Sequence, residues 1–336
     1  MSDWAHSSAD RGTREGVAAE ICGWMRAATD SPIYLRLAGD IAEDPALLDV
    51  VARIDNVPPM NLLFGAVQLL RGGPLPDLPF SEFRDFVLGH EEAIVEIGCT
   101  RRTQTNEARR CAVILPFVAQ AVVGLGGARG ADVPVHAIDI GTSAGLNLCL
   151  DRYAYDYGRG VIGESALTLA CENRGDFVLP RSVPVFATRT GLDLAPVDVG
   201  DPGAVAWLEA LVWPEHTERL DRLRKAIAIR RETPVTMVAG DAIATLGEVV
   251  AGLPAGEPVL IFHTIALYQL DAGAQGAIDD IVAGLARERP LARVSFEPRP
   301  GSVSPLIHVG ARPYENPAVA SGHHHGAWLD VPPDRA

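Results

Sequence analysis

Residues 133–147, "VPVHAIDIGTSAGLN", decide the fold class. A β-branched run ends near the acid Asp139 and passes at once into a turn that contains Gly141 and Gly145. Four similar runs follow, separated by stretches with helical spacing: "VPVFATRTGLD" (183–193), "PVTMVAGD" (234–241), "EPVLIFHT" (257–264) and "LARVSFEP" (291–298). Strands that alternate with helices predict an α/β protein with a mostly parallel sheet and helices on both faces.

The regions on either side of these runs have different patterns. Residues 1–130 have mostly helical apolar spacing, with helix-start signals at Ser31-Pro32 and Ser81, which predicts an α-helical N-terminal cap domain. Residues 131–336 form the predicted sheet domain, with a hairpin inserted near 152–180. Two β-like runs around a Gly/Pro/Asn turn at residues 305–331 predict an antiparallel edge.

The composition excludes some partners. The chain has 336 residues, 48% of them hydrophobic, and a net charge of -14, which would repel nucleic acid and anionic lipid. Its five cysteines are widely spaced, and its first residues are polar, which favours a soluble protein with reduced thiols in the cytoplasm. The uncharged stretch from Cys111 to Ala128 contains Pro116 and Gln120, so we expect a buried core helix and no membrane span.

The turn after the first strand supports two interpretations. "GTSAG" (141–145) fits G-x-S-x-G, the turn that presents a serine nucleophile, and Ser143 would then be the catalytic residue of a serine hydrolase. The HGGG-type oxyanion loop of such esterases is missing from the sequence. Asp271 and His308 stand in the correct order for an acid and a base, but a chain of this length offers such pairs by chance.

The second interpretation is a cofactor loop. It predicts an acid at the end of the next strand, which Asp193 of "GLD" supplies, and a polar step after the third, which Gly240-Asp241-Ala242 supplies. Open α/β sheets bind ligands at the carboxyl ends of their strands, where these residues would meet. Asp156 of "YAYDYG" competes with Asp193, but only Asp193 precedes a long helical stretch and a further strand.

These motifs resemble the class I S-adenosylmethionine-dependent methyltransferases over roughly residues 133–330. Four longer stretches resemble a bacterial family known as domain of unknown function 2332 over nearly the whole chain: "RRTQTNEARRC" (101–111), "GTSAGLNLCLDRYAYDYG" (141–158), "GLDLAPVDV" (191–199) and "LVWPEHTERL" (211–220). One departure is Ser143, which stands where the methyltransferase motif G-x-G-x-G has its central glycine.

The methyltransferase resemblance implies a Rossmann-like domain that binds S-adenosylmethionine and methylates a small molecule. The cofactor-binding residues it implies are Asp139, Gly141, Thr142, Ser143, Gly145, Asn147, Asp193, Leu194, Gly240, Asp241 and Ala242. An N-terminal lid often covers the cofactor in this superfamily, and the candidate lid or substrate residues are Gln104, Asn106, Glu107, Arg110 and Tyr268. A non-catalytic nucleotide-binding protein remains a further alternative.

His263 ends the fourth strand, where a base could meet the methyl acceptor, so it is the candidate catalytic residue; a core histidine is the alternative interpretation. The N-P-P-[YF] motif is absent after this strand, where "HTIAL" stands, which disfavours methylation of nucleic acid or amide nitrogen. We expect no metal: His323-His324-His325 has no partner cysteine or spaced carboxylate and is predicted to form a turn or a pocket edge.

Overall fold

The computed structural model describes residues 12–26, 28, 30–127, 134–175, 177–312 and 315–332. Two compact units divide the chain: the first comprises residues 1–105 and 200–221, and the second comprises residues 106–199 and 222–336. The sequence-based boundary at 130/131 lies outside the described residues. Residues 106–127 group with the sheet because their helix packs on a strand of it, and residues 200–221 group with the N-terminal helices.

In its described part, the first unit is helical. Ser31 accepts a hydrogen bond from the Tyr34 N–H and caps its helix as predicted. The predicted start at Ser81 differs slightly: a helix begins at Phe80, and a second begins after His90, whose φ of -124° leaves helical geometry. The helices are α1 (Arg14–Met25), α2 (Pro32–Glu43), α3 (Pro45–Ala52), α4 (Pro59–Arg71), α5 (Phe80–Gly89), α6 (Glu91–Thr100) and, after α7 (Arg110–Gly126) of the second unit, α8 (Pro202–Ala210).

An aromatic cluster fills the core of this first unit. The rings of Tyr34 and Phe64 are stacked with centroids 3.9 Å apart, and Trp24 packs on both. Gly65 leaves room for Trp207 of α8, because a Cβ there would lie 3.0 Å from the indole. Residues 200–221 therefore belong to this core although in the chain they follow the strand Phe186–Asp193 of the sheet domain.

The second unit is built on a nine-stranded mixed sheet, ordered β5-β12-β11-β10-β9-β8-β1-β6-β7. The run β7-β6-β1-β8-β9 is parallel throughout, while β10, β11 and β12 form an antiparallel edge. This confirms an α/β fold with a mostly parallel, Rossmann-like sheet. The strands are β1 (Val135–Ile140), β5 (Glu172–Asn173), β6 (Phe186–Asp193), β7 (Thr236–Ala239), β8 (Val259–Thr264), β9 (Leu291–Glu297), β10 (Leu306–Val309), β11 (Ala320–Gly322) and β12 (Trp328–Asp330).

The connection between β1 and β6 differs from the prediction. The helix expected after Gly145 is a short 3₁₀-helix, Asn147–Arg152, in which Cys149 departs from helical geometry. In the region of the expected hairpin, β2 (Ala154–Asp156) and β3 (Val161–Ile162) pair antiparallel, and β4 (Thr168–Ala170) joins β2 in parallel to give a separate three-stranded sheet. β5 crosses to pair with β12 at the edge of the main sheet.

Helices complete the second unit. α10 (Ala242–Ala251) and α11 (Ala272–Glu288) pack on each other over a core that includes Ile138 and Ile261. α9 (Thr217–Glu232) begins in the first unit and ends in the second. α7 packs on β8 and β9 and is buried along most of its length, as predicted for the apolar stretch after Cys111; Ala128 lies outside the described residues. Among the helices of the described chain, none is both long enough and apolar enough to cross a membrane.

Candidate functional site

The strand order defines where a ligand site belongs. Strand β1 lies between β6 and β8, so the chain leaves β1 toward one side of the sheet and later returns on the other. In open α/β sheets, ligands bind outside the carboxyl ends of the strands at this switch point. The predicted acids Asp139 and Asp193 end the two neighbouring strands at that edge.

The turn after β1 is tight. Gly141 and Gly145 have φ of 74° and 73°, and a Cβ at Gly141 would lie 2.4 Å from the Ala266 Cβ. The missing side chains therefore make room for protein neighbours. Ser143 also has a positive φ, 49°, which is uncommon for any residue but glycine and is found at functional sites when the surroundings enforce it.

Asp193 holds this turn. Its Oδ2 accepts a hydrogen bond of 2.8 Å from the Ser143 N–H, and its Oδ1 accepts one of 2.9 Å from the Ala195 N–H. Each carboxylate oxygen keeps further acceptor capacity for a ligand. Asp156 instead lies in β2 of the small sheet and accepts from the Gly158 N–H. The structure thus brings Asp193, and not Asp156, to the glycine turn.

Asp139 is the most unusual group of the edge. Its side chain is 1% exposed, and its Oδ2 has no hydrogen-bonding partner among the described residues. Burial raises the pKa of this carboxyl to about 8, and the opposing effects of the Thr142 hydroxyl and the Arg110 guanidinium do not offset it. An unpartnered buried carboxyl oxygen is costly, and such groups often mark functional sites.

The predicted lid segment is divided between the two units. Gln104 lies in the irregular stretch that ends the first unit. Asn106, in the second unit, donates to the Ser143 Oγ at 3.0 Å and accepts from the Ala144 N–H at 3.2 Å. Glu107 is buried, and its carboxylate forms an ion pair with Arg222 at 2.7 Å, so its polar groups are turned to the protein.

Arg110 and Asn147 join the turn to neighbouring segments. The Arg110 guanidinium donates to the backbone oxygens of Thr264, at 3.2 Å, and His324, at 2.9 Å. The Asn147 side chain donates to the Thr264 hydroxyl at 2.8 Å. Both residues therefore fix the end of β8 next to the turn.

The residues that follow β7 supply polar groups at the same edge. The Gly240 N–H donates to the Asp193 backbone oxygen at 2.9 Å, which ties the end of β7 to the end of β6. Asp241 caps α10, accepting from the Ile243 N–H, and Ala242 is the first residue of that helix. Leu194 is 67% exposed, so it offers an apolar surface beside Asp193.

His263 has a different environment from the one a base requires. It is 0% exposed; its Nδ1 donates to Glu297 Oε1 at 2.7 Å, and its Nε2 accepts from the Arg293 Nε at 3.0 Å. Burial, helped by Arg293, lowers its pKa, which keeps the ring neutral. With both nitrogens bonded, this geometry matches the core-histidine alternative and leaves no ring nitrogen for a methyl acceptor.

Glu297 connects His263 to the loop after β8. Besides His263, this carboxylate accepts from the backbone N–H groups of Ala266, Leu267 and Tyr268, at 3.0 to 3.3 Å. The short 3₁₀-helix Leu267–Gln269 is thereby capped, and Ile265 is held at a positive φ of 53°. Tyr268, a predicted substrate residue, is 38% exposed on this loop.

Sequence reasoning missed Arg293 and Glu297. A signal was present in "LARVSFE", where Arg293, Ser295 and Glu297 alternate with apolar residues. All three are buried, so this strand presents a polar row to the interior. Polar residues at every second position of an otherwise apolar strand indicate a buried network, and Asp279 of α11 completes it with an ion pair of 2.6 Å to Arg293.

The three consecutive histidines form the predicted turn. The Gly326 N–H donates to the His323 backbone oxygen at 2.7 Å, and the His325 N–H donates to His323 Nδ1. Arg109 donates to the His325 backbone oxygen at 2.8 Å. Among the residues the structure describes, no group of three His, Cys, Asp or Glu side chains is arranged to hold a metal ion.

Comparison with known proteins gives a family and no reaction. No curated protein matches the chain. The sequence profile of one family, described as "Uncharacterized protein conserved in bacteria (DUF2332)", matches residues 19–331 and so covers both units. On that match, the chain belongs to the DUF2332 family.

Proposed function

We propose that this protein binds S-adenosylmethionine at the carboxyl edge of β1, β6 and β7 and transfers its methyl group to a small molecule in the cytoplasm. The observation that carries the proposal is the buried Asp139 carboxyl with its unpartnered Oδ2, directly before the glycine turn and beside Asp193. A ligand that supplies a donor and a positive charge would compensate this group.

The charge of the edge favours a cationic ligand. Asp193 ends β6 and Asp241 follows β7, while Asp139 gains a negative charge when it ionises beside a cation. The positive groups at the turn are Arg110 and the partly neutralised Arg230 next to Gly145. S-adenosylmethionine carries a sulfonium and an ammonium group, whereas dinucleotides and nucleoside triphosphates carry several negative charges. Coulombic repulsion therefore disfavours the phosphate-bearing nucleotides.

The residues present fit this cofactor. Asp139 would accept from the ammonium group, and the remaining acceptor capacity of Asp193 suits the two ribose hydroxyls. The exposed Leu194 and the small Ala242 leave an apolar surface beside Asp193 for the adenine ring. The bound cofactor would supply an activated methyl group, so the protein has to align the acceptor and exclude water.

His263 is a positioning residue in this proposal. It holds Glu297, which fixes the backbone of residues 266–268 and hence Tyr268 at the edge of the site. Burial raises the pKa of the Tyr268 hydroxyl, so this group stays protonated and can donate to an acceptor molecule. The chain thereby offers a donor for orienting the substrate.

A serine hydrolase is the second candidate, and the positive φ of Ser143 is the observation in its favour, because nucleophile turns are strained. The Ser143 hydroxyl, however, accepts from the Asn106 amide, and no described histidine hydrogen-bonds to it. His308 lies on β10, three strand spacings from β1, or roughly 14 Å. Asp271 caps α11 and accepts from the Ala274 N–H.

Calorimetric titration of the purified chain tests the proposal. We expect S-adenosylhomocysteine and S-adenosylmethionine to bind with micromolar Kd, about -7 to -8 kcal/mol, while NAD as the control does not bind. Binding of neither sulfur compound at millimolar concentration would refute the proposal. Stoichiometric labelling of Ser143 by a fluorophosphonate would favour the hydrolase, and binding without methyl transfer to any small-molecule acceptor would favour a non-catalytic nucleotide-binding protein.

A further inference from the structure

A cavity lies beside the glycine turn, where its wall residues contact the turn: the Val197 N–H donates to the Ser143 backbone oxygen at 3.0 Å, and a Cβ at Gly145 would lie 2.9 Å from the Arg230 Nε. The cavity has a volume of about 350 Å³, within the range of small-molecule sites. Most of the residues that line it are apolar. They come from the segment after Asp193, the end of α9 and the beginning of β7: Pro196, Val197, Asp198, Val199, Arg230, Val235 and Met237. All of these residues belong to the second unit.

Arg230 is the exceptional member of this wall. Arg230 is 9% exposed. Among the described residues, only its Nη1 has an acceptor, the Thr233 backbone oxygen at 3.2 Å. Its Nε is buried without a partner. Guanidinium groups stay charged at neutral pH, so the cavity holds a buried cation with most of its donors unused.

The surroundings pack against Arg230 and place Asp198 near its charge, but they do not hydrogen-bond to its Nε or Nη2 in the described part of the chain. Gly145 makes room for it, because a Cβ there would lie 2.9 Å from Nε. Burial lowers the pKa of Arg230, and the neighbouring Cys149, Tyr153 and Asp198 oppose that effect. None of these groups hydrogen-bonds to the guanidinium in the described part of the chain. A buried guanidinium with unfilled donors is costly, and an anionic ligand that accepts from it would reduce that cost.

We propose that this cavity binds a small aliphatic carboxylate, which accepts a hydrogen bond from Nη2 of Arg230 and whose hydrocarbon part packs on Val197, Val199 and Met237. A hydrogen bond between a guanidinium N–H and a carboxylate is charge-assisted and so stronger than one between neutral groups. The apolar wall favours a hydrocarbon tail and gives little to a fully solvated inorganic anion. Asp198, on the wall, disfavours ligands with a second negative charge.

Titration with hexanoate tests the inference, with 1-hexanol and inorganic phosphate as comparison ligands. We expect saturable hexanoate binding, no 1-hexanol binding in the same range, and weaker phosphate binding. Arg230→Gln should raise the Kd for hexanoate at least about tenfold. Arg287→Gln, which removes the same charge from an exposed position on α11, should leave that Kd within about twofold.

A second variant keeps the test decisive if Arg230→Gln does not fold. Val197→Trp fills the cavity and leaves Arg230 intact, so it should also abolish hexanoate binding. Equal binding of hexanoate and 1-hexanol, tighter binding of phosphate than of hexanoate, or unchanged hexanoate affinity in Val197→Trp would overturn the proposal. S-adenosylhomocysteine binding is measured separately, so a failure here leaves the proposed function standing.

Discussion

Two carboxyl groups at the same edge of the sheet have opposite surroundings. Glu297 and Asp139 are each 1% exposed and each lie near the carboxyl end of a parallel strand. Glu297 accepts hydrogen bonds from His263 and three backbone N–H groups, whereas Asp139 has an oxygen without a partner in the described chain. A satisfied buried carboxylate stabilises the fold, and an unsatisfied one has capacity left for a ligand.

This contrast separates structural from functional residues better than residue type or position does. His263 ends a central strand, as a base would, but its bonding partners make it part of the Glu297 network. Asp193 is intermediate: each oxygen accepts from one backbone N–H and retains capacity for another donor.

The largest effect should follow from removing Glu297. Glu297→Ala leaves His263 and the N–H groups of residues 266–268 without their acceptor, so we expect a loss of about 3 to 5 kcal/mol in the free energy of unfolding. Urea unfolding measures it, with the exposed Glu288→Ala of α11 as the control. A loss below about 1 kcal/mol would show that Glu297 is not structural.

Asp193 should have its main effect on binding. Asp193→Ala removes a charged acceptor for the ribose hydroxyls and should weaken S-adenosylhomocysteine binding by about 1.5 to 3 kcal/mol. Asp156→Ala, on the small sheet, is the matched control and should change the affinity much less. Calorimetry on both variants decides, and the reverse ranking would contradict the assignment of the cofactor site.

Asp139 should cost stability in the free protein. Its folded pKa of about 8 lies above the unfolded value, so the folded state binds the extra proton and stability falls as pH rises from about 4 to 8. Because one pKa unit corresponds to about 1.4 kcal/mol, the stability advantage of Asp139→Asn over the native chain should grow by about 3 to 4 kcal/mol from pH 5 to pH 8, which thermal unfolding at both pH values measures. An advantage that is equal at pH 5 and pH 8 would contradict the raised pKa.

His263 should give the opposite slope with pH. Its folded pKa is lowered below 6.5, so the unfolded state binds more protons and stability is lost as pH falls through 6.5. In His263→Asn, the decline in unfolding free energy between pH 7 and pH 5 should be smaller by about 1 kcal/mol. Parallel pH profiles for the variant and the native chain would count against a neutral, buried His263.

Sequence patterns predicted the fold more fully than the site. The five parallel strands follow directly from their β-branched runs. The 3₁₀-helix after Gly145 does not, because "NLCLDR" has an ordinary helical composition and gives no sign of the non-helical φ of -90° and ψ of 17° at Cys149. Residues 200–221 give no sequence signal that they pack beside Gly65. The sequence pattern predicted that Asp139 and Asp193 lie at one edge of the sheet, but only the hydrogen-bonding partners distinguish these two acids from the structural His263.

Proton release on ligand binding tests the central claim most directly. If Asp139 is protonated in the free protein and ionises beside an ammonium group, then S-adenosylhomocysteine binding at pH 7 should release about one proton. Calorimetry in phosphate and in Tris, which differ in ionisation enthalpy, measures it, with Asp139→Asn as the control. We predict release by the native chain and none by the variant. Equal binding enthalpies in both buffers, or equal affinities of the two proteins, would contradict a cofactor site at Asp139.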